Sequence, residues 1–149
     1  MPSYTQILYQ IVFSTKHRHH TLQGSENRLK LYKYIWGIIK NNSCVVYKIN
    51  GIENHIHIAT HLHPSVSLSF LVKDIKVASS LWIKQHQLFP DFIGWGLGYG
   101  AYTYNLKQKS IMERYFENQV ENHKAASFQK EYEKLLAENV IKYDNRYLF

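Results

Sequence analysis

The hydrophobic positions of this chain follow two periods that alternate along its length. Four runs are rich in β-branched and aromatic side chains and are typical of strands; they cover residues 4–15, 44–49, 55–62 and 101–105. Two longer segments, residues 25–42 and 64–87, repeat apolar side chains at the spacing of one helical face. The pattern therefore predicts the order β-α-β-β-α-β.

Local signals place the ends of these elements. Ser25 or Asn27 is predicted to cap the first helix, and Pro64 with Ser65 is predicted to open the second. Asn50-Gly51 predicts a turn between the second and third strands. The buried face of the first helix is expected to carry Leu29, Leu31, Tyr32, Ile35, Trp36, Ile38 and Ile39, and that of the second Leu68, Leu71, Val72, Ile75, Leu81, Trp82 and Ile83.

The predicted order corresponds to an α+β, ferredoxin-like fold, in which an antiparallel sheet carries its helices on one face. Two further helices are predicted near the carboxyl end, over residues 110–122, with Ser110 as the cap, and 127–138. No repeat, linker or low-complexity tract interrupts the sequence. We therefore expect one domain over residues 1–149.

Composition narrows the class of protein. A hydrophobic content of 45% and an aromatic content of 15% indicate a folded chain, and no apolar run is long enough for a membrane span. No signal peptide is recognisable, and the single Cys44 is expected in the core, so a cytoplasmic location is predicted.

The net charge of +7 is distributed unevenly. Residues 1–109 contain 12 basic and 4 acidic side chains, a net of +8, whereas residues 110–149 contain 6 and 7, a net of −1. A positive field over the first part favours a polyanionic partner, although ordinary solvated lysines would give the same count.

The best candidate for chemistry is His55-Ile56-His57, within the third predicted strand. Residues i and i+2 of a strand point to the same face, so both imidazoles project together and could share a divalent metal. Two ligands are too few to hold it, and His17/His19 and His61/His63 have the same spacing. His61 lies roughly 13 Å along the strand from His57, at ~3.3 Å per residue, which excludes it from the same metal.

A predicted later helix supplies candidates for the remaining groups. Tyr115 and Gln119 are four residues apart and therefore share a helical face. Considered by itself, Tyr115 could equally be one more core aromatic among twelve tyrosines.

Three motifs in this order resemble a known family. They are Gly51-Ile52-Glu53-Asn54-His55-Ile56-His57-Ile58, Trp95-Gly96-Leu97-Gly98-Tyr99-Gly100-Ala101-Tyr102 and Tyr115-Phe116-Glu117-Asn118-Gln119. With residues 128–132 and 143–147 they resemble the single-tyrosine HUH transposases (TnpA-like) of the smallest bacterial insertion sequences. The similarity extends over essentially the whole chain, including the loop of Lys16 and Arg18.

The resemblance implies a metal-dependent transposase that cuts and rejoins single-stranded DNA. His55, His57 and Gln119 match the metal ligands, Mg²⁺ or Mn²⁺ being expected, and Tyr115 matches the nucleophile that becomes linked to a 5′ phosphate. Such proteins recognise DNA hairpins near the element ends and act as homodimers, their active sites built in cis or in trans. Members often carry two adjacent histidines after the glutamine; here the pair is Asn122-His123, which leaves the role of His123 open.

Other interpretations stay open at this point. Lys16 and Arg18 are candidate DNA-binding residues or a solvated loop, and the segment from Trp95 to Gly100 is favoured as fold geometry over a DNA contact. A βαββαβ sheet with a basic surface could also be a non-catalytic module that binds single strands or hairpins. A host-domesticated relative that cleaves DNA but no longer moves an element is a third possibility.

Overall fold

In the computed structural model, the described part of the chain comprises residue 5 and residues 7–104. It contains four strands and two α-helices. In chain order they are β1 (Leu8–Ser14), α1 (Ser25–Asn41), β2 (Val45–Ile52), β3 (His55–His61), α2 (Leu68–His86) and β4 (Gly100–Tyr104), with a short 3₁₀ turn, Lys16–Arg18, after β1. The predicted order β-α-β-β-α-β and the α+β class are confirmed.

The four strands form one antiparallel sheet in the order β2-β3-β1-β4. Because β3 pairs with both β1 and β2, those two strands run parallel with β3 inserted between them. β1 separates β3 from β4 in the same manner. Each helix therefore connects two parallel strands that are not neighbours, which is the split β-α-β arrangement predicted from the sequence.

The pleat of the sheet separates two sets of side chains. The register pairs Ile11 with Ile58 and Phe13 with Ile56, and these four residues are buried in the core. The same core contains side chains of both helices: Leu31, Ile35, Ile39, Leu71, Val72 and Ile75. Because these side chains share one core with the isoleucines, both helices cover the sheet face that carries the isoleucines. Residues one position further along each strand point to the opposite face.

The helix ends differ from the prediction. Gly24, at φ 91°, precedes α1 without a side-chain cap, so the cap assigned to Ser25 or Asn27 is wrong; the Asn27 amide instead donates to the Leu88 carbonyl at 3.2 Å. α2 begins at Leu68 rather than at Pro64-Ser65, because the Ser67 hydroxyl accepts from the backbone N–H of Phe70 at 3.1 Å.

Some predicted core positions are on the surface. Leu29 and Trp36 of α1 are 57% and 44% exposed, and Leu81 of α2 is 58% exposed. None of the three belongs to the buried set of its helix. Cys44 is buried, as predicted.

The turn between β2 and β3 lies at Glu53-Asn54, not at Asn50-Gly51. Asn50 and Gly51 belong to β2, where they pair with His57 and Ile56. The sheet passes very close to Gly51: a Cβ atom added there would lie 2.3 Å from the His55 carbonyl oxygen. Glycine is therefore required here by the close approach of two strands rather than by a turn.

The predicted helices over residues 110–122 and 127–138, together with Tyr115, Gln119 and His123, lie outside the described residues. Within the described range, neither helix has the length and apolar character needed to cross a membrane.

Candidate metal centre

His55 and His57, called here the histidine pair, lie on β3 in the middle of the sheet. Their cross-strand neighbours are Ser14 and Val12 on β1, and Ile52 and Asn50 on β2. Ile56 and Ile58 point into the helix-covered core, so the histidine pair occupies the opposite face, as the strand pattern predicted. Both imidazoles are buried, with ring centroids 5.3 Å apart and planes inclined by 77°.

The Nδ1 atom of His55 lies 2.6 Å from the side-chain oxygen of Asn54. An amide oxygen can only accept a hydrogen bond, so this contact assigns the proton of neutral His55 to Nδ1. Its Nε2 atom then carries the lone pair. Asn54 is itself buried in the two-residue turn before β3, which holds its side chain beside the ring it orients.

The Nδ1 atom of His57 contacts Gln10, which lies on β1 and is fully buried. Its side-chain nitrogen is 2.9 Å from Nδ1, while its side-chain oxygen has no hydrogen-bond partner within the described part of the chain. Both imidazoles of the histidine pair thus have an amide group at Nδ1. Metal-binding histidines commonly donate their second ring N–H to an acceptor behind them, and the Asn54 oxygen is such an acceptor for His55.

The histidine pair fits the metal-binding half of a site. Two neutral imidazoles on one rigid strand are suitable nitrogen ligands, and the Asn54 contact leaves the lone pair of His55 on Nε2. Among residues 5 and 7–104, no group of three His, Cys, Asp or Glu side chains could hold a metal. A complete site therefore requires further ligands, as the sequence spacing indicated.

The other histidines with the same spacing are in different surroundings. The rings of His17 and His19 are 5.6 Å apart but both residues are exposed. The Nδ1 atom of His63 accepts from the backbone N–H of Ser65 at 3.1 Å and lies 2.6 Å from its hydroxyl oxygen. His63 therefore stabilises the turn before α2.

A second feature is a cleft of about 700 Å³ beside the 3₁₀ turn. One wall is the Lys16–Arg18 turn, in which His17 and Arg18 both adopt φ 58°. The other wall is the glycine-rich loop, residues 94–98. Backbone hydrogen bonds join the two walls, from Lys16 N to Gly94 O at 2.9 Å and from Gly96 N to Ser14 O at 2.8 Å. The cleft is lined by Ser14, Thr15, Lys16, His17, Arg18, Trp95, Gly96 and Leu97.

Lys76 of α2 holds the glycine-rich loop in place. Its ammonium group donates to the carbonyl oxygens of Gly96 and Gly98 at 2.9 and 2.5 Å and lies 5.5 Å from the centre of the Phe13 ring. Burial lowers the pKa of Lys76. The Trp95 indole donates to the Ser79 hydroxyl at 2.9 Å. Lys76 is one of the 12 basic residues counted in residues 1–109, and the structure uses its charge inside the fold.

Comparisons with known proteins agree with this architecture. A search of curated proteins gives no significant match. A proposed transposase of Deinococcus radiodurans R1 is 22% identical, with a TM-score of 0.62 over 80% of this chain and 95% of its own. A REP-associated tyrosine transposase, solved bound to a REP hairpin, is 14% identical, with a TM-score of 0.57 over 83% of this chain and 75% of its own. These likenesses support the fold.

The family assignment depends on the sequence itself. The family model described as "Transposase IS200 like" matches residues 3–119. That range contains the sheet, the histidine pair and the cleft beside the Lys16–Arg18 turn. The chain therefore belongs to the family of IS200-like transposases.

Proposed function

We propose that this protein cleaves and rejoins single-stranded DNA at the ends of an insertion sequence, with Tyr115 as the nucleophile. His55, His57 and Gln119 would hold a divalent metal, Mg²⁺ or Mn²⁺. The observation that carries the proposal is the buried histidine pair on one face of β3, with an amide group at each Nδ1. Membership of the transposase family gives this pair its chemical context.

A bound metal would act as a Lewis acid that withdraws charge from the scissile phosphate and orients it. Two imidazoles and one amide oxygen form a neutral ligand set with positions left for phosphate oxygens. The anionic DNA then balances the charge, and no protein carboxylate is required. An ion that accepts both nitrogen and oxygen ligands is suited to this set.

The reaction proposed for Tyr115 is a transesterification. The phenol oxygen attacks phosphorus and loses its proton, the bond from phosphorus to the 3′ oxygen breaks, and that oxygen takes up a proton. The 5′ phosphate remains attached to tyrosine. A 3′-hydroxyl can later attack this linkage and release the phenol, so strands are rejoined without an external energy source.

We place the DNA path along the cleft beside the Lys16–Arg18 turn. Lys16 is exposed at the rim, and Trp95 and Leu97 provide apolar and aromatic surface against which an unpaired base could pack. The consecutive left-handed residues His17 and Arg18 are uncommon for side chains other than glycine, which further supports a binding role for this turn. The REP-associated tyrosine transposase was solved bound to a REP hairpin, which supports a hairpin substrate for this chain. We also propose that the chain acts as a homodimer, as the resemblance of its sequence implies.

The decisive experiment is a covalent-adduct assay. The substrate is a single-stranded oligonucleotide that contains the hairpin flanking this protein's own gene, and products are separated on a denaturing gel with Mg²⁺, Mn²⁺ or a chelator. We expect a metal-dependent protein–DNA adduct that is absent in Tyr115→Phe and His57→Ala. Tyr34→Phe is the matched control, because its ring stacks on Trp82 at 4.5 Å and needs no hydroxyl to do so.

An adduct in Tyr115→Phe would refute the assignment of the nucleophile. Hairpin binding that is indifferent to metal and gives no adduct in the unaltered protein would instead support the non-catalytic binding module. Cleavage of the DNA that is not followed by joining of the two element ends would favour a domesticated relative.

A further inference from the structure

Gln10 is an unusual residue at its position. It lies in the central part of β1 and is fully buried, on the sheet face that carries the histidine pair. Ile11 and Phe13 of the same strand point to the opposite, helix-covered face, where apolar side chains form the core. Burying an amide is costly unless its polar atoms are satisfied. Gln10 nevertheless has one satisfied polar atom and one oxygen without a described partner.

The orientation of the Gln10 amide determines which nitrogen of His57 carries the proton. If the NH₂ group faces Nδ1 at 2.9 Å, it donates, and the ring proton of neutral His57 must be on Nε2. That imidazole would present an N–H group to the site and could not bind a metal through Nε2. If the amide is rotated by 180°, the oxygen faces Nδ1, accepts its proton and leaves Nε2 with a lone pair.

Oxygen and nitrogen of an amide are nearly equivalent in shape, so the network around them has to decide their placement. Either orientation leaves one polar atom of the Gln10 amide without a described partner, so the hydrogen bonds of Gln10 do not distinguish the two orientations. The neighbouring histidine gives the decisive comparison. At His55 the Asn54 oxygen faces Nδ1, and one metal can bind both rings through Nε2 only if His57 has the same tautomer.

We propose that Gln10 is a positioning residue whose side-chain oxygen accepts from Nδ1–H of His57 and so makes Nε2 of that ring a metal ligand. This inference rests on the proposed metal site at the histidine pair. It adds a second amide behind the pair, supplied by a different strand from Asn54. Groups of this kind typically change metal affinity by 10–100-fold when they are removed.

The first test reads the tautomer in the metal-free protein, so its result does not depend on metal binding or on activity. Long-range ¹H–¹⁵N correlation spectra, recorded where the His57 ring is neutral, distinguish a protonated Nδ1 from a protonated Nε2. We expect Nδ1–H in the unaltered protein and a shift towards Nε2–H in Gln10→Leu. A protonated Nε2 in the unaltered protein, or an unchanged tautomer in Gln10→Leu, would overturn the inference.

The second test measures Mn²⁺ affinity by titration in the full-length protein. Gln10→Leu is expected to weaken binding by about 10–100-fold, while Gln10→Glu, which keeps an acceptor beside Nδ1, retains it. If Gln10 instead donated to Nδ1, removing it would strengthen binding, so the direction of the change decides between the two orientations.

Two controls separate positioning from a structural role. Leucine has a similar size and removes an incompletely paired amide, so Gln10→Leu should unfold at nearly the same temperature or higher. Thr21→Val removes another buried polar group without a described partner and should leave both the His57 tautomer and Mn²⁺ affinity unchanged. If the tautomer behaves as expected but the unaltered protein binds no Mn²⁺, the hydrogen bond from His57 to the Gln10 oxygen stands and the proposed metal site fails.

Discussion

Gly51 provides the sharpest test of how the sheet presents the histidine pair. It lies on β2 opposite Ile56, between the two histidines of β3. A Cβ atom added to Gly51 would lie 2.3 Å from the His55 carbonyl oxygen and 3.1 Å from the Ile56 Cα atom. Ordinary contacts begin at 3.4 Å, so the strands would have to separate by about 1 Å. Gly51→Ala therefore forces a backbone movement at the histidine pair.

The loss of unfolding free energy in Gly51→Ala depends on how rigid the backbone of β3 is at this point. Overpacking a well-packed interior costs about 1–3 kcal/mol, and we expect the upper end of that range because backbone atoms cannot rotate out of the way. For a chain of about this length, ~3 kcal/mol corresponds to a melting temperature lower by roughly 6–12 °C. The matched control is Gly37→Ala in α1, where an added Cβ meets nothing within 4 Å. That change should stabilise the protein by about 0.5–1 kcal/mol through helix propensity.

Thermal unfolding followed by circular dichroism, with NMR spectra of the imidazole resonances, measures both effects. The same chemical change is expected to have opposite signs at the two glycines, and only Gly51→Ala should shift the His55 and His57 signals. If Gly51→Ala melted within about 2 °C of the unaltered protein and left those signals in place, the close approach of β2 and β3 at this point would be refuted.

Three further predictions concern the surrounding framework. Burial raises the pKa of Tyr32 to about 12 from 10.0, so its stabilising neutral form is fully present below pH 10 and is lost as pH rises towards 12. Between pH 9 and 11.5, the free energy of unfolding measured in urea should fall by about 2 kcal/mol more in the unaltered protein than in Tyr32→Phe. An equal fall in both proteins would contradict this. Lys76→Met should lower the free energy of unfolding by about 1–3 kcal/mol and speed amide hydrogen exchange in the glycine-rich loop. Lys73 is exposed, so Lys73→Met should lower it by less than about 0.5 kcal/mol. Ser67→Ala removes a helix cap and should lower the free energy of unfolding by about 1 kcal/mol. Ser25 forms no side-chain cap, so Ser25→Ala should have almost no effect. Similar decreases in both variants would refute this difference between the two helix starts.

The sequence predicted the order of elements and the face of the histidine pair because both depend on periodicity. Alternation along β3 places His55 and His57 together and sends Ile56 and Ile58 the other way, whatever the neighbouring strands are. The resemblance to the transposases, carried by motifs spread over the chain, was sufficient to predict the family, which is now confirmed. The metal-binding role of His55 and His57 stays a prediction, as do the roles of Tyr115, Gln119, Lys16 and Arg18.

Element boundaries were less predictable because contacts between distant segments determine them. Asn50-Gly51 has strong turn propensity, yet pairing with His57 and Ile56 keeps both residues in β2, and the turn lies at Glu53-Asn54. Likewise, the sequence does not distinguish Lys76 from solvated lysines, because its contacts depend on the packing of α2 beside the glycine-rich loop. Gln10 did leave a signal in the sequence, since it is a polar residue between the apolar segments Leu8-Tyr9 and Ile11-Val12-Phe13 of β1.

The position of the histidine pair on a central strand bears on the proposed reaction. Strand-borne groups are held more accurately than loop-borne ones, and here the residues between and beside the histidines are core isoleucines. Any displacement of the imidazoles would therefore disturb the packing under both helices. On the proposed mechanism, the attacking oxygen changes between cleavage and rejoining, from the Tyr115 phenol to a 3′-hydroxyl, while the phosphate must remain in register. A metal held by the histidine pair would be anchored in the sheet, so the exchange of nucleophiles would require no rearrangement of the core.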